Sequence, residues 1–204
     1  MKLPPTSSQT VGPFFHLGVA FLTREHLESR GIAGELVTIR GRVLDGDGQP
    51  LPDALLEIWQ ADAAGHYAAE HSAFGAASGA GSEADGNASP RFQGFGRVET
   101  DQDGAFCFTT VKPGPVPYVE GGMQAPHIVV TLFSRGLLKP LWTRLYFPDE
   151  PGNAGDPILK LVPAERRETL IARRSGESAG DLRVNSLEWN VVMQGDGETV
   201  FFDY

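Results

Sequence analysis

The sequence predicts an all-β protein folded as a β-sandwich, with one short helix and an extended N-terminal arm. Several short segments alternate apolar and polar residues, which is the period of a strand with one buried face. Asp-Gly pairs lie between such segments, and glycine and proline are abundant, at 25 and 15 of 204 residues. Six or more short strands with few helices are typical of two packed antiparallel sheets. A chain of this length can bury one sizeable core.

The strands are predicted from their alternation and from the turns that end them. Residues 36–51 predict a strand that ends in a hairpin-type turn, because Asp-Gly-Asp-Gly at 45–48 supplies the positive φ angles that such turns need. Residues 54–62 are expected to form the return strand. A second Asp-Gly turn lies within 94–111, and further strands are expected at 127–135, 141–147 and 186–194.

One helix is predicted, at residues 164–174. This segment follows Pro163, and it places the apolar Leu170 and Ile171 on one side among charged residues.

The chain divides into an arm and a domain. Residues 1–35 are expected to form the N-terminal arm and entry segment, and residues 36–204 the sandwich. Within the arm, the apolar residues 14–18 should dock on the domain or on a partner. The small, polar residues at about 75–90 predict a flexible insert.

Net charge and cysteine content argue against several functional classes. The formal net charge of −9 repels phosphate backbones, so nucleic-acid binding is not expected. No apolar run is long enough to span a bilayer, and the N-terminus lacks the apolar core of a secretory signal. With Cys107 as the single cysteine no intrachain disulfide can form, which indicates the reducing cytoplasm. Cys107 lies in an alternating strand and is expected to pack in the core.

Residues 39–67 carry a dense set of fixed elements. They begin with Ile39 two places before Gly41 and end with Gly65-x-Tyr67, and between these lie Val43, Gly48, Leu51 and the triplet Leu56-Glu57-Ile58. The segment resembles the signature of the intradiol ring-cleavage dioxygenases. Later segments resemble the same family in the same order, at 96–115, 125–128 and 145–150.

The resemblance implies a specific metal chemistry. In that family two tyrosinates and two histidines hold Fe(III), a hard ion that phenolate oxygen stabilises against reduction. A catechol binds the ion through both oxygens, and O₂ then cleaves the ring between the two hydroxyl groups. Short motifs of other enzyme classes, such as HExxH and CxxC, are absent from the sequence.

The ligand positions carried over from the family are only half filled in this sequence. Tyr67 matches the first tyrosine and His127 the first histidine. Val116 takes the place of the second tyrosine, and Val129 that of the second histidine. Tyr118 lies two residues beyond the second tyrosine position and is not counted as a replacement. Valine has no lone pair to donate, so Tyr67 and His127 are interpreted as relics and the chain is not expected to bind iron itself.

The deficient pattern resembles one chain type of the two-chain members of the family. An arginine that usually faces the substrate is replaced here by Gln124. The resemblance implies a homologous β subunit that binds Fe(III), a higher hetero-oligomer of αβ units, and an active site at the interface. The complex would bind a small aromatic substrate, protocatechuate, and convert it with O₂ to 3-carboxy-cis,cis-muconate.

The same resemblance implies that this chain contributes a wall of the substrate pocket. The matched positions are Thr10, Gly12 and Pro13 on the arm, together with Arg135. A guanidinium suits this role, because it can meet the substrate carboxylate with a planar pair of donors, and an acidic protein that binds an anion needs a local positive charge.

Two other hypotheses remain open at this point. The chain could be a structural β-sandwich scaffold subunit that makes no contact with substrate, which replacing Arg135 in the complex would distinguish. It could also be a self-sufficient dioxygenase with unusual ligands. In that case the isolated chain would contain iron and show the reddish colour of tyrosinate-to-iron charge transfer.

Overall fold

The structure is a computed structural model that describes residues 6–12, 14–28, 32–68, 92–176 and 185–203. Pro13 and the insert expected at about 75–90 lie outside this range. Within it, no helix has the length and apolar character needed to cross a membrane.

Most regular elements of the described chain are β-strands. The strands are β1 (Leu36–Leu44), β2 (Leu55–Trp59), β3 (Phe95–Glu99), β4 (Ala105–Val111), β5 (Val116–Pro117), β6 (Met123–Gln124), β7 (His127–Phe133), β8 (Leu141–Tyr146), β9 (Arg173–Arg174), β10 (Asn185–Glu188) and β11 (Val191–Val192). The α-helices are α1 (Phe15–Val19) and α2 (Pro157–Leu161), and 3₁₀ turns span Ala20–Leu22, Pro151–Ala154 and Ala164–Leu170.

Two sheets face each other across the core. In the first sheet β1 pairs with β4 on one side, and with β10 and β11 on the other, and β9 extends beyond β10. The second sheet has the order β3-β2-β7-β8 and is antiparallel throughout. Their inward faces form one buried apolar cluster, to which Ile39 and Phe108 contribute from the first sheet and Ile58, Val130 and Leu145 from the second. The predicted β-sandwich is confirmed.

The prediction of a hairpin between the first two strands is wrong. The turn itself forms, because Asp45 N donates to Gln49 O (2.9 Å) and Gly48 has a φ of 73°. However, β1 belongs to the first sheet and β2 to the second, so the turn carries the chain across the sandwich. The second Asp-Gly turn does the same between β3 and β4. β1 and β4 bury their apolar faces in the core from the first sheet, and β2 and β3 bury theirs in the same core from the second sheet.

The helix predicted at 164–174 is present only in part. Residues Ala164–Leu170 form a 3₁₀ turn that buries Leu170. From Ile171 onward the chain is extended, because Ile171 bridges to Tyr146 and Arg173–Arg174 pairs with β10. Strand pairing therefore ends the helical segment earlier than its charge pattern suggests.

The prediction that Cys107 packs in the core is also wrong. Cys107 is exposed. Side chains alternate along β4, and the inward positions belong to Phe106 and Phe108, which stack with their centroids 6.4 Å apart. A residue between two core positions must face outward.

The N-terminal arm docks on the second sheet at the end of β7. The ring of Phe15 in α1 lies 5.7 Å from that of Phe133. On the same helix Leu17 is exposed, and the adjoining Phe14 and Phe21 are 74% and 81% exposed. The apolar segment thus contacts the domain through Phe15 and keeps other apolar side chains on the surface.

Candidate functional site

The metal-ligand positions predicted from the sequence meet on the outer face of the second sheet. Trp59 lies opposite Val129, and Val129 lies opposite Arg144. Two residues away on the same strands, His127 of β7 lies opposite Tyr146 of β8. Because directly opposed residues share a face, these side chains form two neighbouring rows. We call the region of Tyr67, Val116, His127, Val129 and Arg144 the vestigial site.

His127 is buried, and its ring is oriented by the chain just before β7. Its Nδ1 lies 2.7 Å from Ala125 O, and a carbonyl only accepts, so Nδ1 carries the proton and donates. Burial lowers the pKa of His127 to about 4, and the charge of Arg144 acts in the same direction. The ring is therefore neutral near pH 7.

Tyr67 is positioned by a tight loop that ends beside β5. Asp62 Oδ1 accepts from Ala64 N and His66 N, each at 2.9 Å. Gly65 has a φ of 85°, and a Cβ there would lie 2.1 Å from Pro115 O. Only glycine allows this approach without strain. The loop brings Tyr67 onto Trp59, with the rings stacked at 5.9 Å and inclined by 7°.

The two valines place hydrocarbon where the resemblance predicts donors. Val116 is buried in β5, and its neighbour across the strand pair is Gln124 of β6. Val129 is half-buried. Tyr118 lies in the turn between β5 and β6, where its carbonyl accepts from Gly121 N at 2.9 Å.

Arg144 is a component of this region that the sequence analysis did not single out. It is only 8% exposed, and its Nη1 donates to Gln124 Oε1 at 2.8 Å. The available signal was its position in β8. Trp142, Arg144 and Tyr146 share one face, so a charged residue lies on a row with two aromatic ones.

Asp156 provides a buried negative charge in the same region, where its charge and that of Arg144 both act on His127 and Tyr146. Its carboxylate is fully buried and accepts from Ala125 N (2.7 Å), Leu159 N (2.7 Å) and the hydroxyl of Tyr146 (3.1 Å). It also caps the N-terminus of α2. Burial raises the pKa of the Tyr146 phenol, so the hydroxyl remains a donor.

Two of the predicted pocket-wall residues, Thr10 and Arg135, lie near each other at the other end of β7. Arg135 Nη2 lies 3.2 Å from Asp53 Oδ2, and the Arg135 side chain is 54% exposed. The next residue, Gly136, donates its backbone N–H to Thr10 Oγ1 at 2.8 Å. Gly12 follows on the arm, where its carbonyl accepts from Phe15 N at 3.0 Å. Pro13, the fourth predicted residue, lies outside the described residues.

The two regions are far apart. Val129, the β7 residue of the vestigial site nearest that end, lies four residues before Phe133, which is roughly 14 Å at about 3.4 Å per residue. Arg135 lies beyond that end of the strand. A small aromatic acid therefore cannot touch Arg135 and the vestigial site at once.

A β-sandwich with a tyrosine and a histidine at these positions on its outer face agrees with the resemblance to the intradiol ring-cleavage dioxygenases. The family profile described as "Dioxygenase" matches residues 12–195. The chain belongs to this dioxygenase family, as the resemblance predicted.

Individual relatives agree with this assignment. The chain is 41% identical to the protocatechuate 3,4-dioxygenase alpha chain of Burkholderia cepacia, over 98% of both chains. It is 32% identical to the beta chain of the same enzyme in that organism, over 96% of this chain and 78% of the relative. A solved dioxygenase domain from Streptomyces sp. SirexAA-E superposes with a TM-score of 0.60 at 26% identity, over 85% of this chain and 88% of that one.

The residues of the vestigial site do not fit the ferric ion on which this family depends. Tyr67 and His127 are the two family donors that remain, and the valines donate nothing. Among the described residues, no three His, Cys, Asp or Glu side chains are grouped so that they could hold a metal ion. A buried guanidinium occupies the same face. No chemical step is therefore assigned to a metal in this chain.

Proposed function

We propose that this chain is the α subunit of a protocatechuate 3,4-dioxygenase and forms part of the substrate pocket of an iron-binding β subunit. The observation that carries the proposal is the separation of the two regions along β7. The guanidinium of Arg135 lies beyond one end of β7, and the vestigial site, which lacks two of the four family ligands, lies at the other end. Since Arg135 cannot serve a ligand in its own vestigial site, the substrate that it contacts belongs to another chain.

The β subunit is proposed to hold Fe(III) and to carry out the cleavage. In that reaction the ring bond between the two hydroxyl-bearing carbons of protocatechuate breaks, and both atoms of O₂ enter the product, 3-carboxy-cis,cis-muconate. Burkholderia cepacia has an alpha and a beta chain of this enzyme, and both resemble the present chain. We place the complex in the cytoplasm, in line with the single cysteine.

Exposed apolar residues support a docked partner. Phe14, Leu17 and Phe21 lie on or beside α1 and are 74%, 61% and 81% exposed. α1 packs against β7, and the arm that leads to it contacts the loop that carries Arg135. A β subunit that covered these side chains would come close to Arg135 and complete a pocket there.

The role proposed for Arg135 is to bind the substrate carboxylate. Asp53 holds one edge of the guanidinium and limits its rotation. The group has five N–H donors and stays protonated, so it can contact Asp53 and a carboxylate together. Thr10 fixes the backbone next to Arg135 through Gly136. Gly12 has open space at its Cβ position, which leaves room for another molecule to approach.

The test is Arg135→Ala in the assembled αβ complex. We expect KM for protocatechuate to rise about 10-fold or more, because a hydrogen bond to a charged group is worth about 1.5–3 kcal/mol. Turnover of catechol, which lacks the carboxylate, should change little. Arg174→Ala is the matched control, since the Arg174 side chain is similarly exposed and pairs with Asp149 at 3.0 Å. An unchanged KM for Arg135→Ala would favour the alternative, a scaffold subunit without substrate contact.

A further inference from the structure

Asp53 pairs with Arg135 from a backbone conformation that is unusual for a residue with a side chain. Its φ is 63°, in the left-handed region that glycine adopts without strain. Asp53 follows Pro52 in a turn, and a positive φ directly after a proline is typical of type II turns, in which glycine or asparagine is preferred at this position. The sequence therefore keeps a carboxylate where glycine would be the easier residue.

The turn that carries Asp53 is fixed by Thr100. The hydroxyl of Thr100 accepts from Ala54 N at 2.9 Å and donates to Leu51 O at 2.8 Å, so it bridges the two ends of the turn. The backbone N–H of Thr100 also donates to Ala54 O at 2.9 Å. Thr100 itself is buried. The carboxylate of Asp53 thus projects from a turn that hydrogen bonds hold at both ends.

The ion pair between Asp53 and Arg135 joins this turn to the chain just beyond β7. Asp53 Oδ2 lies 3.2 Å from Arg135 Nη2, and both side chains are partly exposed. Partly exposed pairs of this kind contribute little to stability. A strained backbone that stability does not explain is typical of a position kept for function. The ion pair is therefore the feature that gives the conformation of Asp53 a purpose.

An exposed arginine binds a ligand more tightly when its guanidinium is already oriented. A flexible side chain loses rotamer freedom on binding, and a contact made before binding reduces that loss. Among the residues that the structure describes, Asp53 is the partner to which the Arg135 guanidinium donates a hydrogen bond. The contact uses Nη2 and leaves other N–H groups of the guanidinium for a ligand. Planar donors held in one orientation match a planar carboxylate.

We propose that Asp53 is a positioning residue for the substrate carboxylate, so that the preference of the complex for protocatechuate over catechol depends on Asp53 as well as on Arg135. This inference rests on the function proposed above, because it concerns the same carboxylate contact. A role of Asp53 through its charge alone has the opposite effect on KM. Removing a negative charge near the pocket attracts an anionic substrate more strongly and lowers KM, whereas losing the positioning contact raises it.

The experiment measures steady-state kinetics of assembled αβ complexes with protocatechuate and with catechol. Asp53→Gly removes the carboxylate and suits the positive φ, so the turn should keep its conformation and the variant should fold. Asp53→Asn keeps an oxygen that accepts a hydrogen bond, and asparagine also tolerates this backbone region. Asp149→Gly is the matched control, because Asp149 has a φ of 56° and pairs with the exposed Arg174 at 3.0 Å.

We expect Asp53→Gly to raise KM for protocatechuate about 2- to 10-fold, which corresponds to ordering one flexible side chain on binding. The value of kcat should not change, because Asp53 acts through Arg135 and not on the reacting atoms. Kinetics with catechol should also stay the same, as should both reactions of the Asp149→Gly complex. Asp53→Asn should keep KM close to the wild-type value. In an Arg135→Ala background, Asp53→Gly should add nothing, since the side chain that it positions is missing.

The outcomes separate this inference from the proposed function. An unchanged KM for Arg135→Ala contradicts the proposed function itself. If Arg135→Ala raises KM but Asp53→Gly leaves KM unchanged or lowers it, only the positioning role is refuted. An effect of Asp53→Gly that is equally large for catechol, or equally large without Arg135, indicates a general structural change and also refutes the role. The same holds if KM of the Asp53→Asn complex equals that of Asp53→Gly.

Discussion

Asp156 should be one of the most important single residues for the stability of this chain. The change considered is Asp156→Ala, which removes a fully buried carboxylate. Three donors then lose their acceptor, namely Ala125 N, Leu159 N and the Tyr146 hydroxyl. The charge of Asp156, which acts on His127 and Tyr146 together with that of Arg144, is lost as well.

The magnitude follows from these contacts. Each buried donor left without a partner costs about 1–3 kcal/mol, and three donors are affected here. These contributions overlap, so we expect a loss of about 3–5 kcal/mol in the free energy of unfolding. Asp156→Asn keeps an oxygen acceptor and should lose less, about 1–3 kcal/mol.

The assay is urea unfolding of the αβ complex at fixed protein concentration, followed by circular dichroism. Asp203→Ala is the matched control, because Asp203 is 83% exposed and pairs with Lys139 at 2.7 Å. Exposed pairs of this kind contribute about 0–1 kcal/mol. If the Asp156→Ala complex unfolds within about 1 kcal/mol of this control, the buried network does not stabilise the chain as argued here.

Two further predictions concern Gly65, in the loop that positions Tyr67, and His127 of the vestigial site. Gly65→Ala should destabilise the complex by about 1–3 kcal/mol in the same urea assay, because Gly65 has a φ of 85° and a Cβ there would meet Pro115 O. Gly12→Ala, where a Cβ meets nothing within 4 Å, should be neutral, and equal stabilities for the two variants would contradict the reasoning. His127 should make stability depend on pH, because its pKa is lowered from 6.5 to about 4 on folding and the unfolded chain binds the proton first. Its contribution is complete above pH 6.5 and is lost as the pH falls toward 4. The stability difference between wild type and His127→Asn should shrink by up to about 3 kcal/mol over that interval, and a constant difference would refute the assignment.

Alternation and turn chemistry were sufficient to predict most strands. The segments at 36–51, 127–135 and 141–147 each contain the strand expected there, because the side-chain period of a strand is a local property. Which strands pair is not local. The turn at 45–48 has the residues of a hairpin, yet it joins two sheets, since both flanking strands bury their apolar faces in the same core. The prediction for Cys107 failed for a related reason. An alternating pattern does not say which of its two faces is buried, and in β4 the buried face is the one with Phe106 and Phe108, so Cys107 is exposed.

The candidate site divides in the same way. The sequence, through its resemblance to the family, predicts that Val116 and Val129 stand at ligand positions, and no fold can give an aliphatic side chain a lone pair. Only the tertiary structure decided what surrounds them. Arg144 reaches Val129 through the pairing of β7 with β8, and Asp156 reaches Ala125 across 31 positions of the chain. The physical reason is that donor chemistry belongs to single residues, whereas charge compensation depends on contacts between segments that only folding brings together.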